Sequence, residues 1–131
     1  MKKIEKFLLP YLSFPDCLVE NLELSPNKKK LKIFVDGAYL DINNGISFGK
    51  GFLIFTNWES LSIKKYNIKI KKWTEVTISQ EIDPLKDLCE VSFTKSRTIL
   101  SGFSKKNIDW MEWEITHAKI VAEFEPELGH Y

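Results

Sequence analysis

The longest strand-like pattern in the chain runs from Ser101 to Phe124 and limits the folds open to the rest of the sequence. Its apolar side chains fall first at odd positions (Met111, Trp113 and Ile115) and then at even positions (Ala118, Ile120, Ala122 and Phe124). A strand places successive side chains on opposite faces, so this change of parity requires an extra residue, a bend or a change of partner near Thr116 and His117. We therefore predict a final long strand from Trp110 to Phe124, on which a small antiparallel domain closes.

Shorter stretches with the same alternation recur along the chain. Inward-facing sets are predicted at Leu31, Ile33 and Val35, at Leu61 and Ile63, and at Cys89, Val91 and Phe93, among others. Residues that favour turns, such as Ser25-Pro26-Asn27 and Lys95-Ser96, separate these sets. Parallel α/β folds need long helical crossovers between strands, and the chain has no room for them. The pattern therefore predicts a mostly β fold, an antiparallel sandwich or a partly closed barrel of about seven to nine strands.

Two segments have helical character in a chain whose 131 residues suit a single domain, residues 1–131. Apolar residues recur at helical spacing from Ile4 to Leu12, so we expect a short helix or arm over residues 1–12. Any helix within this segment is expected to end near Leu9, before Pro10. Asp83-Pro84 fits an N-cap followed by proline, which predicts one helical turn over residues 84–88. The polar residues 125–131 are expected to form a loose tail.

Glycines mark the middle of the chain. Asp36-Gly37 predicts either a tight hairpin turn or a glycine bulge, and we favour a bulged strand that continues to Ile42, because the apolar parity shifts there. Residues 43–51, which contain Gly45, Gly49 and Gly51, are expected to form a loop. The continuously apolar segment from Phe52 to Phe55 is typical of a central strand covered on both faces.

Composition and cysteine usage indicate a globular protein of the cytoplasm. The chain is 44% apolar and 28% charged, which excludes a disordered protein, and its net charge of +1 gives no bias toward nucleic acid or anionic membranes. The apolar run after Met1-Lys2-Lys3 is too short for a secretory signal, and no stretch approaches a transmembrane span. Cys17 and Cys89 show neither metal-ligand spacing nor a disulfide framework, so we expect two reduced, buried thiols.

The reactive residues do not define a catalytic or metal site by their spacing. A nucleophilic site would combine a thiol, a base and an orienting aspartate: Cys17 or Cys89, His117, and Asp16, Asp36 or Asp109. No nucleophile-elbow motif accompanies either cysteine, and an alternating strand position favours a structural thiol. His117 with Glu114 or Glu123 lacks the spacing of a metal site, and the glycines of residues 43–51 do not match a phosphate-binding loop. We predict no catalytic residue, no metal ligand and no cofactor.

Charge is segregated along the chain. Residues 61–73 contain five lysines and no acidic residue, interleaved with Tyr66 and Trp73, whereas residues 109–127 are mainly acidic. Lysines beside exposed aromatic rings can bind single-stranded nucleic acid. If the two segments are neighbouring strands, Lys69 and Lys71 would instead face Glu112 and Glu114 as structural pairs, with lysines protecting an exposed edge. If they are not neighbours, their opposite charges suit a protein partner.

The candidate partner-binding residues come from these two segments: Lys64, Lys69, Lys71, Trp73, Trp110, Glu112 and Glu114. A period-2 stripe at Ile68, Ile70, Val76 and Ile78 predicts a strand on which Lys69, Lys71 and Trp73 share one face. Glu112 and Glu114 share a face with Trp110, an arrangement that would suit a sugar hydrolase. Alternating glutamates are also the solvated face of a half-buried strand, and we favour that interpretation.

Four short segments carry a likeness to known sequences: Pro15-Asp16-Cys17, Leu31-Lys32-Ile33-Phe34-Val35-Asp36-Gly37, Gly102-Phe103-Ser104 and Trp110-Met111-Glu112-Trp113. In these segments the chain resembles a loose set of small uncharacterised bacterial β proteins, some of which look like immunity proteins of toxin systems. Many of those proteins have His-Asp where this chain has Pro15-Asp16. The resemblance covers most of the chain and implies no catalytic residues.

These observations favour a non-enzymatic, immunity-like domain of the cytoplasm whose partner is a protein. The alternatives are a module for single-stranded nucleic acid, a small-ligand module and a carboxylate-based hydrolase. A small ligand would occupy a cavity lined by Phe52, Phe55, Trp58 and Trp113. We expect these rings to fill the interior instead, because protein interiors are close-packed. No membrane partner is expected, and the oligomeric state stays open.

Overall fold

The computed structural model describes residues 1–15 and 17–127, which form thirteen β-strands and two 3-10 helices. The strands are β1 (Lys2–Lys3), β2 (Leu12–Ser13), β3 (Cys17–Ser25), β4 (Lys30–Val35), β5 (Ala38–Leu40), β6 (Ile46–Thr56), β7 (Ser60–Asn67), β8 (Lys72–Glu75), β9 (Asp87–Leu88), β10 (Glu90–Phe93), β11 (Arg97–Phe103), β12 (Trp110–Thr116) and β13 (Lys119–Pro126). The 3-10 helices are Lys6–Tyr11 and Pro26–Lys28. The fold is mostly β, as predicted, and several strands of two to four residues raise the strand count above the predicted seven to nine.

The strands belong to two antiparallel sheets. The larger sheet has the order β1-β13-β6-β4-β3-β9, with β5 also paired to β6 and β2 paired to β5. The smaller sheet has the order β10-β11-β12-β7-β8. Within residues 1–15 and 17–127, these sheets do not join into a closed barrel.

Both sheets contribute side chains to one hydrophobic core. The fully buried residues include Leu31, Ile33, Leu53, Phe55 and Phe124 of the larger sheet, and Ile63, Leu100, Trp113 and Ile115 of the smaller one. Full burial of one such side chain contributes roughly 1.5–3 kcal/mol. As expected, the rings of Phe55, Trp58 and Trp113 fill the interior. Phe52 and Ile54 instead lie half-buried on the outer face, so this part of β6 is covered on one face only.

The parity change near His117 is a change of sheet. β12 pairs with β11 and β7 in the smaller sheet, whereas β13 pairs with β6 and β1 in the larger one. His117 connects them with a positive φ of 51°, and its N–H donates to the Ser96 carbonyl oxygen at 2.8 Å. Of the three predicted possibilities, an extra residue, a bend or a change of partner, the structure shows the change of partner. The prediction of one continuous strand is wrong, because each half turns its apolar side chains toward the core from a different sheet.

The glycine-containing segment after Asp36 is more regular than the sequence suggests. β4 and β5 both pair with β6 in the same register, but Asp36 and Gly37 lie between them and β5 ends at Leu40. The prediction of one bulged strand that continues to Ile42 is therefore wrong. The predicted loop over residues 43–51 is wrong, because residues from Ile46 onward belong to β6. Position 51 of that strand requires glycine, because a Cβ atom there would collide with the Glu123 carbonyl oxygen and the Phe124 ring.

The N-terminal helix is a 3-10 helix, Lys6–Tyr11, and does not end near Leu9. Pro10 lies inside it, which a short 3-10 turn tolerates because it has few hydrogen bonds to lose. Leu9 is buried against the core, and Phe7 is 73% exposed. Before this helix, the arm at Lys2–Lys3 is a strand that extends the larger sheet beside β13.

The predicted helical turn over residues 84–88 is wrong. Both carboxylate oxygens of Asp83 accept hydrogen bonds from a different segment, from the N–H of Lys106 at 2.8 Å and of Asn107 at 2.9 Å. Leu85 forms a bridge with Ser104, and β9 pairs with β3. Asp83 therefore caps the connection between β11 and β12 instead of starting a helix of its own.

The chain ends differ in part from the prediction. Glu125 and Pro126 belong to β13, so the predicted tail is wrong for these two residues. Residues 128–131 lie outside the described residues, and so does Asp16, one of the candidate orienting aspartates. No helix in the described part of the chain has the length and apolar character needed to cross a membrane.

Candidate functional site

Four aromatic side chains form a continuous row across the outer face of the smaller sheet. Trp73 of β8 lies opposite Tyr66 of β7, Tyr66 lies opposite Trp110 of β12, and Trp110 lies opposite Phe103 of β11. Opposite residues in antiparallel strands point to the same face, with Cβ atoms about 4.5–5.5 Å apart. The four rings therefore span four of the five strands, and we call them the aromatic row.

Two pairs of neighbouring rings in the aromatic row pack edge to face. The ring centroids of Tyr66 and Trp73 are 5.4 Å apart at an angle of 68°, and those of Phe103 and Trp110 are 5.1 Å apart at 75°. This geometry sets the positive edge of one ring against the negative face of the other, which contributes about 0.5–1.5 kcal/mol per pair. Nevertheless, Trp73 is 44% exposed and Phe103 is 36% exposed. The contacts fix the rings in position and leave much of their surface in water.

Two loops add exposed apolar side chains beside the aromatic row. Ile68 and Ile70 of the β7–β8 loop are 78% and 58% exposed, and Ile108 of the β11–β12 loop is 52% exposed. The predicted strand through Ile68 and Ile70 is wrong. The Asn67 side-chain oxygen accepts a hydrogen bond from the N–H of Lys69 at 2.9 Å, which bends the chain into a turn.

A groove of about 390 Å³ opens between the aromatic row and these two loops. Its apolar sides are Ile68, Ile108 and the rings of Tyr66, Phe103 and Trp110. Lys65, Lys69 and Asp109 add polar groups to its lining. The row therefore continues into a concave surface that an inserted side chain can fill.

The next row on the same face is charged. In register across the sheet it contains Glu75, Lys64, Glu112, Ser101 and Glu90, and we call it the charged row. Lys64 Nζ lies 3.6 Å from Glu112 Oε1 and 5.0 Å from the centroid of the Trp73 ring. Lys64 therefore joins the two rows, and the basic and acidic segments are neighbouring strands at this point.

Lys69 and Lys71 do not occupy the positions predicted for them. Both lie in the β7–β8 loop, where Lys71 has a positive φ of 53°, so they neither share a strand face with Trp73 nor face Glu112 and Glu114. Both are exposed, and no carboxylate of the described residues forms an ion pair with either. They give the loop end of the aromatic row a positive charge.

The two candidate carboxylates lie on the solvated face of β12. Glu112 and Glu114 are half-buried there, while Met111 and Trp113 of the same strand are buried. Glu112 is paired with Lys64, and Glu114 lies 3.9 Å from a guanidinium nitrogen of Arg97. Exposed ion pairs of this kind contribute at most about 1 kcal/mol. The geometry favours a structural role for both carboxylates over acid–base chemistry.

The thiols have different surroundings. Cys17 is buried, as predicted, and its Sγ donates to the Pro15 carbonyl oxygen at 3.4 Å. Cys89 is exposed, contrary to the prediction, because it lies in the step between β9 and β10. Partial burial of the thiol, followed by its hydrogen bond to Asp87, raises the pKa of Cys89 to about 11. This thiol is protonated at neutral pH and is therefore a poor nucleophile.

The remaining candidate base is engaged in the turn between the sheets. His117 Nε2 lies 3.4 Å from Glu59 Oε2, so the carboxylate neighbour of this histidine is Glu59. In the part of the chain that the structure describes, no group of three or more His, Cys, Asp or Glu side chains is placed to hold a metal ion. His130 lies outside that part.

The structure places Trp73, Trp110, Lys64 and Glu112 on one face of the smaller sheet, where the sequence left open whether their segments are neighbours, and it adds residues that sequence reasoning missed. Phe103 is the most important of these. Phe103 and Trp110 end β11 and begin β12, so recognition of that hairpin would have paired them. The isoleucines were missed because the same alternation that predicts a strand also occurs in the β7–β8 loop.

Asp16, in one of the segments that carry the resemblance to immunity proteins, is not among the described residues, and the other segments lie on β4, β11 and β12. Those positions are structural elements that many antiparallel folds share. Comparison of the chain with protein-family models, with curated proteins and with solved structures gives no match.

Proposed function

We propose that this chain is a non-enzymatic binding module of the cytoplasm whose aromatic row docks against another protein. One observation carries the proposal: four aromatic side chains lie in register across the sheet, two pairs of them in edge-to-face contact, and leave Trp73 and Phe103 exposed beside three exposed isoleucines. Contiguous exposed apolar surface rimmed by polar groups typically marks an interaction site. Single exposed apolar residues elsewhere need no such explanation.

The surroundings of the aromatic row have the layout of a protein interface. Such interfaces combine an apolar centre, enriched in Trp, Tyr and Phe, with a polar rim. Here the rim is positive at the loop that carries Lys69 and Lys71 and negative along the charged row. Opposite charges on two sides of an apolar centre orient a partner and reject wrongly oriented ones.

The same geometry disfavours single-stranded nucleic acid as the ligand. Base stacking requires open ring faces. The Lys64 ammonium lies over the Trp73 ring, and the Lys86 ammonium lies 5.9 Å from the centroid of Phe103. The glutamates of the charged row lie directly beside the rings and would repel a phosphate backbone. A protein surface with mixed charge avoids both conflicts.

The resemblance to immunity proteins suggests which partner to test first. An immunity-like module acts by holding a toxin protein, and the aromatic row offers an apolar centre for such a contact. The toxin would bring an apolar side chain to the groove beside Phe103 and Ile108. We therefore propose a toxin protein as the first candidate partner.

The proposal is tested by retention of proteins from a lysate of the source cell on the immobilised chain. Trp73→Ala and Phe103→Ala should each abolish retention of a protein that the unmodified chain holds at low salt. Leu18→Ala is the matched control, because Leu18 is 54% exposed on β3 of the larger sheet. Circular dichroism checks that each variant is folded.

Retention that survives both substitutions in the aromatic row would overturn the proposal. Equal loss in the Leu18→Ala control would overturn it as well, since the effect would not belong to the row. A single-stranded oligonucleotide that binds the chain at low salt, and loses binding in Trp73→Ala, would instead favour the nucleic-acid alternative.

A further inference from the structure

A second groove lies at the opposite end of the smaller sheet from the groove at the aromatic row. Arg97 and Thr116 pair at one end of β11 and β12, and Phe103 and Trp110 pair at the other. The groove at the Arg97 end has a volume of about 580 Å³. That volume falls within the roughly 300–1,000 Å³ typical of small-molecule sites.

Much of the lining of this groove is apolar, and part of that apolar lining belongs to the core. Its apolar lining comes from the 3-10 helix and from both sheets: Phe7, Leu9, Pro10, Phe93, Ile115, Ala118 and Ile120. Leu9, Phe93 and Ile115 are nearly completely buried, so the floor of the groove is the core surface between the sheets. Phe7, at 73% exposure, stands at its rim. A ligand in the groove would therefore contact a continuous apolar surface.

Polar and basic residues line the same groove. They are residues 94–97 of the turn between β10 and β11, together with Lys6 and His117. Glu5 is the one acidic side chain among the residues that line the groove. Within the described residues, neither Lys6 nor Lys95 forms an ion pair, so their charges are available to a ligand.

Hydrogen bonds hold the turn at residues 94–97 in place. The N–H and the hydroxyl of Thr94 each lie 2.9 Å from the Arg97 carbonyl oxygen, which they share as acceptor. The N–H of His117 donates to the Ser96 carbonyl oxygen at 2.8 Å and ties the turn to the connection between β12 and β13. The chain's own hydrogen bonds therefore form this side of the groove, in keeping with small-molecule sites, which are usually largely pre-formed.

We propose that this groove binds a small amphipathic anion, an unbranched alkyl chain that carries one carboxylate. The alkyl chain lies against the apolar lining between Leu9 and Ile120, and the carboxylate faces Lys95. Complementarity of charge and of apolar surface supports this occupant, because Lys6, Lys95 and Arg97 line the groove with one carboxylate and several apolar side chains, and only Arg97 of the three cations has an ion-pair partner, Glu114. The site lies apart from the aromatic row and does not depend on the proposed function.

The test is titration of the purified chain with monomeric dodecanoate, followed by calorimetry. We expect one binding site per chain and, for dodecanol, which has the same alkyl chain without the charge, an affinity at least roughly fivefold lower. Ala118→Trp, which fills the groove, should lower the affinity for dodecanoate by roughly tenfold or more. Lys95→Glu should lower it by at least roughly fivefold, and because Lys95 is exposed, this variant keeps the fold.

Two variants separate this site from other surfaces. Lys30→Glu, at an exposed position of β4, should leave the affinity unchanged, and so should Trp73→Ala in the aromatic row. Equal binding of dodecanol, or an affinity that Lys95→Glu does not change, would overturn the proposal. Several weak sites per chain, or binding to vesicles of anionic lipid without binding to dodecanoate, would also overturn it, because each outcome describes a general surface instead of a groove.

Discussion

Each of the two sheets carries aromatic side chains on its outer face, but neighbouring residues cover these side chains differently on the two sheets. On the larger sheet, the register places Phe34 and Phe52 side by side between Asn21 and Glu123, so polar residues interrupt the row on either side. Their ring centroids are 6.2 Å apart, and the ammonium of Lys32 lies 4.6 Å and 4.9 Å from the two centroids. On the smaller sheet, four rings follow one another without a polar residue between them.

This difference separates aromatic residues that serve the fold from those available for binding. A lysine laid across Phe34 and Phe52 covers apolar surface with its methylene groups and keeps its charge in water. On the aromatic row, Lys64 lies over Trp73 at one end and Lys86 lies over Phe103 at the other, so each of these lysines contacts a single ring. The covered pair predicts effects on stability, and the open row predicts effects on binding.

The largest expected effect is the loss of partner binding in Trp73→Ala. Truncation of a tryptophan that a partner buries typically costs about 2 kcal/mol or more, roughly a thirtyfold loss of affinity. The free energy of unfolding should fall by about 1 kcal/mol, because the contacts of Trp73 with Tyr66 and Lys64 are lost. Calorimetric titration of the purified partner measures the first quantity, and urea denaturation measures the second.

The matched substitution on the larger sheet is Phe52→Ala, which should leave partner binding unchanged. Trp73→Ala and Phe52→Ala with equal losses of affinity would remove the distinction between the two faces. A loss of folding in Trp73→Ala, seen as a collapse of the unfolding transition, would show that the aromatic row serves the fold.

Phe52→Ala should have the next largest effect, this time on stability. Truncation of a fully buried phenylalanine costs about 3–5 kcal/mol, and Phe52 is half-buried on the outer face of β6, so we expect a loss of about 1–2 kcal/mol. The substitution also uncovers Phe34 and removes one of the rings beneath Lys32. Urea denaturation at constant pH measures the change. A loss below about 0.5 kcal/mol would show that this pair contributes as little as an ordinary surface residue.

The sequence was informative where structure depends on neighbours in the chain. The parity change at His117 follows from the alternation of a few residues, and it predicted an extra residue, a bend or a change of partner, of which the last is observed. The sheet that each half joins depends on pairing with β6 and β7, which lie more than 40 residues earlier, and local alternation holds no information on that choice. For this reason the two halves were predicted as one strand.

The aromatic row shows the same limit at the candidate site. Trp73 and Trp110 could be named from the sequence, but their alignment requires the register of β8 on β7, of β7 on β12 and of β12 on β11. Ile68 and Ile70 were misplaced because their spacing fits a strand, whereas the hydrogen bond from Lys69 to Asn67 makes a turn. Turn formation by a single asparagine side chain competes with strand formation, and apolar periodicity does not register it.

The protonation state of Asp83 affects the β11–β12 loop, which carries Ile108. This gives a prediction for the smaller sheet alone. Partial burial acts to raise the pKa of Asp83, but the hydrogen bonds from the N–H groups of Asn107 and Lys106, together with Ser104 and the Lys106 charge, bring the pKa below its ordinary value. A carboxylate with a lowered folded-state pKa stabilises the fold above the pKa of the unfolded chain, near 4. That contribution is lost as the pH falls through the lowered pKa.

We therefore expect the amide protons of Lys106 and Asn107 to lose protection from exchange below about pH 4, before those of β4 and β6. Asp83→Asn should remove this pH dependence and cost about 1 kcal/mol of stability, because an amide can accept only one of the two hydrogen bonds. Hydrogen exchange followed by NMR from pH 3 to pH 6 measures both. The same pH response in Asp83→Asn would assign the effect to another carboxylate.

The smallest expected effects come from Lys32 and Lys64, two of the lysines that contact aromatic rings. Lys32→Ala should lower the free energy of unfolding by about 0.5–1 kcal/mol, since it removes an ammonium that lies over two rings and the methylene groups that cover them. It should also expose Phe34 and Phe52, and so increase the fluorescence of a bound apolar dye. Lys64→Ala is the matched variant on the smaller sheet, where one ring contact and the ion pair with Glu112 are lost. Because the aromatic row is already open, dye binding should change less in Lys64→Ala than in Lys32→Ala, and the reverse order would mean that Lys64 is the residue that covers an aromatic surface.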